Sequence, residues 1–405
     1  MQRFDIAIAG GGITGLALAL TVKRVLKGAL SVGLIERQES ATADRAFAFS
    51  AGSCRLLQAL GVWDAIEPYA QPLHDMVITD SRLDEPVRPV FLTFAGEASK
   101  GEPFAHMIPE QTVIDALRRA LASSGVEKIH GEALSCQSEQ SGAILFLSDG
   151  SSLKASLVLA CDGAKSKLRE DAGIGWFYWS YRQSGIVATI GIEREHEGRA
   201  EEHFLPSGPF AVLPLTGRRF TMVFTERTDR VGRILARDEQ GMIEEIERRI
   251  GYRFGRLQLL SQPRAYPLGF GIARRFSAGR LALVGDAAHL VHPIAGQGLN
   301  LGLRDVASMA ELIADHAALG LDPGDAAVTD AYERARRADT VAMSFVTDGM
   351  NRLFSNDAMP VRLMRDFGLG VVDRLPSIKA RLIKDAAAVH KRMPRLMRGE
   401  SLPGF

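Results

Sequence analysis

Gly10-Gly11-Gly12-Ile13-Thr14-Gly15 stands between two strongly patterned stretches. Asp5 to Ala9 before it is apolar enough for a buried strand, and a helical pattern runs after it to about Lys27. Gly28 suits the helix end. A second strand, Ser31 to Ile35, leads into Glu36, 21 positions after Gly15. No other feature limits the fold as much. A strand, a glycine turn, a helix and a strand ending in an acid form the unit of a parallel sheet flanked by helices. Gly10 permits the tight turn, and Gly12 lets the backbone approach a pyrophosphate. Gly15 lets helix and strand pack closely, and Glu36 can accept hydrogen bonds from an adenosine ribose. A lone G-x-G-x-x-G is a weak signal; the flanking strands and the acid give this one its weight.

A second element, Gly279 to Asp305, repeats the theme. The apolar run Leu281 to Val284 ends at Gly285-Asp286, which puts a carboxylate where strand gives way to loop. His292-Pro293 turns the backbone away from helix. Gly296-Gln297-Gly298 then opens a helical pattern from about Leu299. Its bare start offers unpaired N–H groups and the positive end of a dipole. Alone, this would be an ordinary strand–loop–helix connection with a capping aspartate; the N-terminal element argues against that. A third element is a strand from Ser156 to Ala160 that ends in Cys161-Asp162-Gly163, with Ser166 and Arg169 beyond. Three glycine–acid elements at strand ends, spread over most of the chain, fit one large nucleotide gripped by distant segments. FAD fits better than NAD, because a nicotinamide dehydrogenase usually needs only the first element. No second G-x-G-x-x-G is present, so NAD(P)H would visit transiently.

At 405 residues the chain favours two domains. Its formal charge of +1 gives no basic excess for nucleic acid. Cys54, Cys136 and Cys161 are widely separated, which fits neither a zinc site nor a disulfide framework and suits a reducing cytoplasm. His289 and His292 without further ligands make a poor metal site, so no metal is expected. Ile6 to Val22 is apolar but short and interrupted by glycines, so it reads as strand–turn–helix and not as a membrane span.

Between these elements, Asp44 to Ser50 precedes a helix from Ser53 to Leu60. Arg45 could anchor phosphate or ring, or be a solvated loop arginine. Met76 to Phe94 alternates like strand. A helix is expected from Thr112 to Ser123, with Gln111 at its start as a cap or a cofactor contact. Ala143 to Ser148 and Ser156 to Ala160 flank an Asp149-Gly150 turn. Ser180 to Glu193 and Phe210 to Thr225 read as an antiparallel second domain. A helix follows from Gly241 to Gly251, then a strand from Leu257 to Pro267. The tail, Ser377 to Arg398, mixes basic and apolar residues, as a solvated helix face or an amphipathic helix on a membrane would.

The stretches GGGITG, DRAFAFS, LACDGAKSKLR, YRQSGIVATI, HEGRAEEHFLPSGPFAVLPL and GRLALVGDAAHLVHPIAGQGLNLGLRD carry a resemblance that runs from residue 10 to residue 305. Phe354-Ser355-Asn356 adds to it. The chain resembles the ubiquinone-biosynthesis flavin hydroxylases, class A FAD-dependent aromatic monooxygenases with the para-hydroxybenzoate hydroxylase fold. That implies an α/β protein with a Rossmann-like FAD-binding domain of the GR2 type, an inserted antiparallel substrate domain and a helical C-terminal region. The expected division is 1–75, 106–178 and 268–345 for FAD, 76–105 and 179–267 for substrate, and 346–405 for the C-terminal region.

The resemblance also implies roles. Gly10, Gly12, Ile13, Thr14, Gly15, Glu36 and Arg37 would hold the ADP half of FAD, and Arg45 and Gln111 would contact the cofactor. Asp162 and Gly163 would form a shared FAD/NAD(P)H motif supported by Arg169. Gly285 and Asp286 would bind the ribityl chain. Pro293, Gly296, Gln297, Gly298, Leu299 and Asn300 would wrap the isoalloxazine. His292 and Pro293 form the flavin-proximal loop, with no general base assigned, since a loop histidine is usually satisfied by backbone. The implied reaction is ring hydroxylation of a polyprenylated phenol with NAD(P)H and O₂, through a flavin C4a-hydroperoxide. Membership of a ubiquinone-biosynthesis complex and peripheral contact of a cytoplasmic protein with the inner membrane would accompany it. Two other readings stand beside it: a hydroxylase of a small soluble aromatic, with a polar pocket for a carboxylate, and a non-catalytic FAD-binding scaffold.

Overall fold

The computed structural model describes residues 1–37, 45–80, 90–95, 97–354, 387–390 and 392–402. Two sheets organise it. In the first, Glu127–His130, Val32–Glu36, Gln2–Ala9 and Ser152–Ala160 lie side by side and parallel. The far half of Ser152–Ala160 pairs in parallel with Leu281–Leu283, while its near half carries the hairpin strands Gly142–Leu147 and Ala133–Glu139. Val32–Glu36 is buried throughout, as a parallel strand covered on both faces must be. The helices Ile13–Val25, Glu110–Ala122 and Gln297–Ala317 supply that cover and share one core with the sheet.

The second sheet runs His289–Leu290, Arg264–Ala273, Trp176–Ile192, Arg219–Arg227, Gly208–Leu215, Arg199–Leu205, Asp75–Asp80 and Val90–Ala95. It departs from the expected all-antiparallel pattern once. Asp75–Asp80 lies parallel to Arg199–Leu205, because the chain returns to this sheet only after building much of the first. Alternation along its strands sorts the side chains. Ile186, Phe210, Val212, Met222 and Phe224 point to a core beneath the helix Glu239–Ile250. Gly185, Val187, Ala211, Leu213 and Val223 point the other way, into a cavity.

Several elements differ from their expected bounds. The stretch expected as one strand from Leu257 to Pro267 is two, Leu257–Leu259 and Arg264–Ala273. The single strand Trp176–Ile192 runs through the boundary expected at 178, and Arg264–Ala273 through that at 267. The helix expected from Leu299 starts at Gln297, after a short turn at Ile294–Gly296. Of the basic tail, only 387–390 and 392–402 are described, with a 3-10 turn at Arg395–Arg398; the rest of the tail, and Ser355-Asn356, lie outside the described residues. Among the described residues no helix is long and apolar enough to cross a membrane.

Candidate functional site

Sheet register brings the three glycine–acid elements together. Ala9 is paired with Ala160 and Ile35, and Ala160 with Leu283. The turns that follow therefore leave the sheet at the same edge, the carboxyl ends of its parallel strands, where open α/β sheets bind ligands. Backbone bonds from Gly10 N to Ile35 O (2.8 Å) and from Cys161 N to Ala9 O (2.7 Å) lock two of the turns together.

The N-terminal turn is tightly constrained. Gly10 has φ +122°, and a Cβ there would collide with the Cys161 carbonyl. A Cβ on Gly15 would collide with the Gly10 carbonyl, so the helix packs on the turn itself. Gly12 differs: it is extended, and a Cβ there would meet nothing within 4 Å. It borders open space at the helix start, as the pyrophosphate role requires. Gly11 has a role the motif did not reveal, because a Cβ there would strike the Glu36 carboxylate. Glu36 is buried and takes an ion pair from Arg118 at 3.3 Å, a helix residue missed in the sequence. Ile13 is a core residue, Thr14 fits against Gly285 and Gly302, and Arg37 is exposed.

The Gly285-Asp286 turn is held from behind. Asp305 Oδ2 accepts from Gly285 N (3.0 Å) and pairs with His289 Nε2 (2.6 Å). Arg336 Nε takes Asp305 Oδ1 at 2.6 Å, and Asp339 joins Arg336 to Arg304. His289 is thus satisfied by a carboxylate, not by backbone as expected. Asp286 is left to face the cleft. Burial among protein atoms pushes its carboxyl up, while His289 and Arg45 pull the other way. Arg45 itself is half-buried.

Asp162 accepts from Leu168 N at 3.3 Å, its Oδ1 has no partner among the described residues, and burial raises its carboxyl. A Cβ on Gly163, at φ +84°, would meet nothing within 4 Å. Arg169 is buried. It donates to Ala287 O and Ala164 O, both at 2.9 Å, and stacks on Trp176. It ties two loops of the site together through their backbones.

Arg45 is bound by both carboxylate oxygens of Glu110, at 2.8 and 2.9 Å. Gln111 is exposed at the start of its helix, and its Nε2 donates to Asp115 Oδ1 at 2.7 Å. Asn300 is spent internally. It donates to Ala48 O and Gly296 O and accepts from Ser50 N and Ser53 Oγ. Its amide braces the strand Ala46–Ser50 against the helix start and does not reach outward. Gly296, at φ +62°, makes the corner before that helix, whose next residues Gln297, Gly298 and Leu299 carry its open N–H groups.

Between this helix start and the second sheet lies a cavity of about 240 Å³. His292, Pro293, Gly296 and Gln297 form one wall, and Phe47, Leu73, Met76, Val223 and Leu268 line the rest. His292 is fully buried, its Nδ1 accepts from Ile294 N, and its Nε2 has no partner among the described residues. Burial lowers its pKa to about 4, against a smaller pull upward from Asp348, so the ring is neutral.

The donor set fits an extended flavin dinucleotide. Gly12 and Gly163 with open space beside them, the Asp162 oxygen with no partner among the described residues, and Asp286 all follow the carboxyl ends of neighbouring parallel strands. A family model described as an FAD binding domain matches residues 3–346. The ubiquinone hydroxylase UbiL of Rhodospirillum rubrum is 40% identical over 98% of this chain and 93% of its own length. The chain belongs to the ubiquinone-biosynthesis hydroxylase family of FAD-dependent monooxygenases. Escherichia coli 3-demethoxyubiquinol 3-hydroxylase is 32% identical over 95% of this chain and 98% of the relative. Among solved structures, p-nitrophenol 4-monooxygenase PnpA of Pseudomonas putida matches with a TM-score of 0.78 at 19% identity, covering 95% of this chain and 98% of that one. Klebsiella pneumoniae HpxO, solved with FAD and uric acid, matches at 0.75 and 17%, covering 96% and 97%. At those identities the likeness speaks for the fold, and it is the para-hydroxybenzoate hydroxylase-like FAD fold.

For this FAD-dependent hydroxylase, the glycine turns were readable because their spacing is local. Arg118 and Arg336 carry no local signal; each reaches the site from a helix distant in sequence.

Proposed function

We propose that this hydroxylase adds oxygen to the aromatic ring of a polyprenylated phenol in ubiquinone biosynthesis, using NAD(P)H and O₂. The observation that carries the reading is the apolar cavity opening on the 292–297 loop. Bound FAD would supply the redox chemistry, taking electrons from NAD(P)H and delivering an oxygen atom to the ring. Gly12, Asp162 and Asp286 would bind its pyrophosphate and hydroxyls. The Gln297 helix start would face its ring, and Pro293 would close the loop over it. The cavity walls would hold the phenol ring beside the flavin and exclude water. His292, neutral and buried, would shape that wall without carrying charge.

The small-aromatic reading predicted an arginine or tyrosine for a carboxylate. Arg45 and Tyr266 do line the cavity, but Glu110 already occupies the Arg45 guanidinium, which favours the prenylated phenol. Peripheral contact with the inner membrane and a place in a biosynthetic complex follow from the same reading, since such a substrate resides in lipid. The test is a mass-spectrometric quinone profile of cells lacking the gene. An accumulating prenylated intermediate short of one ring oxygen is expected. Unchanged quinone, with turnover of a soluble phenol in vitro, would overturn the reading.

A further inference from the structure

Glu202 is 4% exposed and lines the cavity. It is the one carboxylate in that lining among the described residues. Its strand, Arg199–Leu205, alternates faces. Glu201 and His203 point one way, where they bind each other at 3.1 Å and Glu201 also binds Arg253. Glu202 points the other way, with Ile78 and Ala211 as its register neighbours. A carboxylate in an apolar wall is costly unless polar partners repay its lost hydration.

We propose that Glu202 contacts the substrate: its carboxylate accepts the hydrogen bond of the ring hydroxyl. This rests on the ring-hydroxylase reading above. A carboxylate offers about four acceptor sites, so it can keep a protein partner and still receive a hydroxyl. A charge-assisted bond from the hydroxyl fixes the ring's orientation and sends electron density into the ring, which favours attack on an electrophilic oxygen.

The test uses the FAD-loaded full chain with a short-chain prenylated phenol, reading product, hydrogen peroxide and NAD(P)H consumed. Glu202→Leu is expected to raise KM for the phenol about tenfold or more and to divert NAD(P)H to peroxide. Glu202→Gln keeps the shape and one acceptor. It is expected to raise KM less. FAD content and melting temperature report folding, and if the leucine variant loses FAD the glutamine variant decides. Wild-type turnover with a Glu202→Gln variant of unchanged KM and coupling would overturn the inference alone. No wild-type turnover of any phenol would overturn the ring-hydroxylase reading and this inference with it.

Discussion

His289 Nε2 lies 2.6 Å from Asp305 Oδ2, with both side chains wholly buried. The same oxygen accepts from Gly285 N, and Arg336 Nε holds the other. Burial alone would raise the Asp305 carboxyl. His289 and Arg336 outweigh it and hold the group below the usual carboxylate range. A helix residue thus sets the turn that presents Asp286 to the cleft.

Asp305→Asn removes a buried charge and leaves Arg336 and His289 facing an amide. Breaking such a pair costs about 3–5 kcal/mol. Urea denaturation should show that loss, together with weakened FAD retention. The depressed pKa means the wild-type contribution is present above the unfolded carboxylate value and fades as pH falls through the lower folded value. An Asn variant with wild-type stability and FAD content would refute the account.

Gly10 and Gly12 should respond differently to alanine. Gly10→Ala must displace the Cys161 carbonyl and is expected to yield little folded protein. Gly12→Ala meets no protein atom. Its apo form should melt like the wild type, while its FAD affinity falls on the order of tenfold or more, because the added methyl fills cofactor space. Equal loss of folding in both would contradict the open cradle at Gly12.

His292 gives a pH signature. Its folded pKa of about 4 lies below its ordinary 6.5. The unfolded chain therefore binds more protons between those values, and stability falls as pH drops through that window. The difference amounts to about 3 kcal/mol. His292→Gln should flatten the stability profile there. Activity should show no inflection from this ring above about pH 6, so an inflection near pH 7 that vanishes in the variant would count against a neutral His292.

Asn300→Asp keeps both acceptors but points a carboxylate at the carbonyls of Ala48 and Gly296. Two lost donors and that repulsion should cost about 2–4 kcal/mol. Thermal denaturation measures it. Asn300→Leu, which abandons all four bonds, should be worse. If Asn300 instead served the cofactor directly, FAD affinity would drop with no change in apo stability.

Much of the cofactor site was legible because it is local. Turn geometry at Gly10, helix packing at Gly15, the acid after Ser31 to Ile35 and the corner at Gly296 are each set by residues a few positions apart, where periodicity and backbone sterics speak. The inward alternation of Trp176–Ile192 was partly readable for the same reason. Tertiary structure alone decided the rest. It committed Asn300 and Arg169 to internal carbonyls, brought Asp305 and Arg336 behind Gly285, and left Glu202 in the wall of the cavity. Those outcomes depend on which segments pack together, and a buried polar group is satisfied by whatever partner the packing delivers, however far away it lies in the chain.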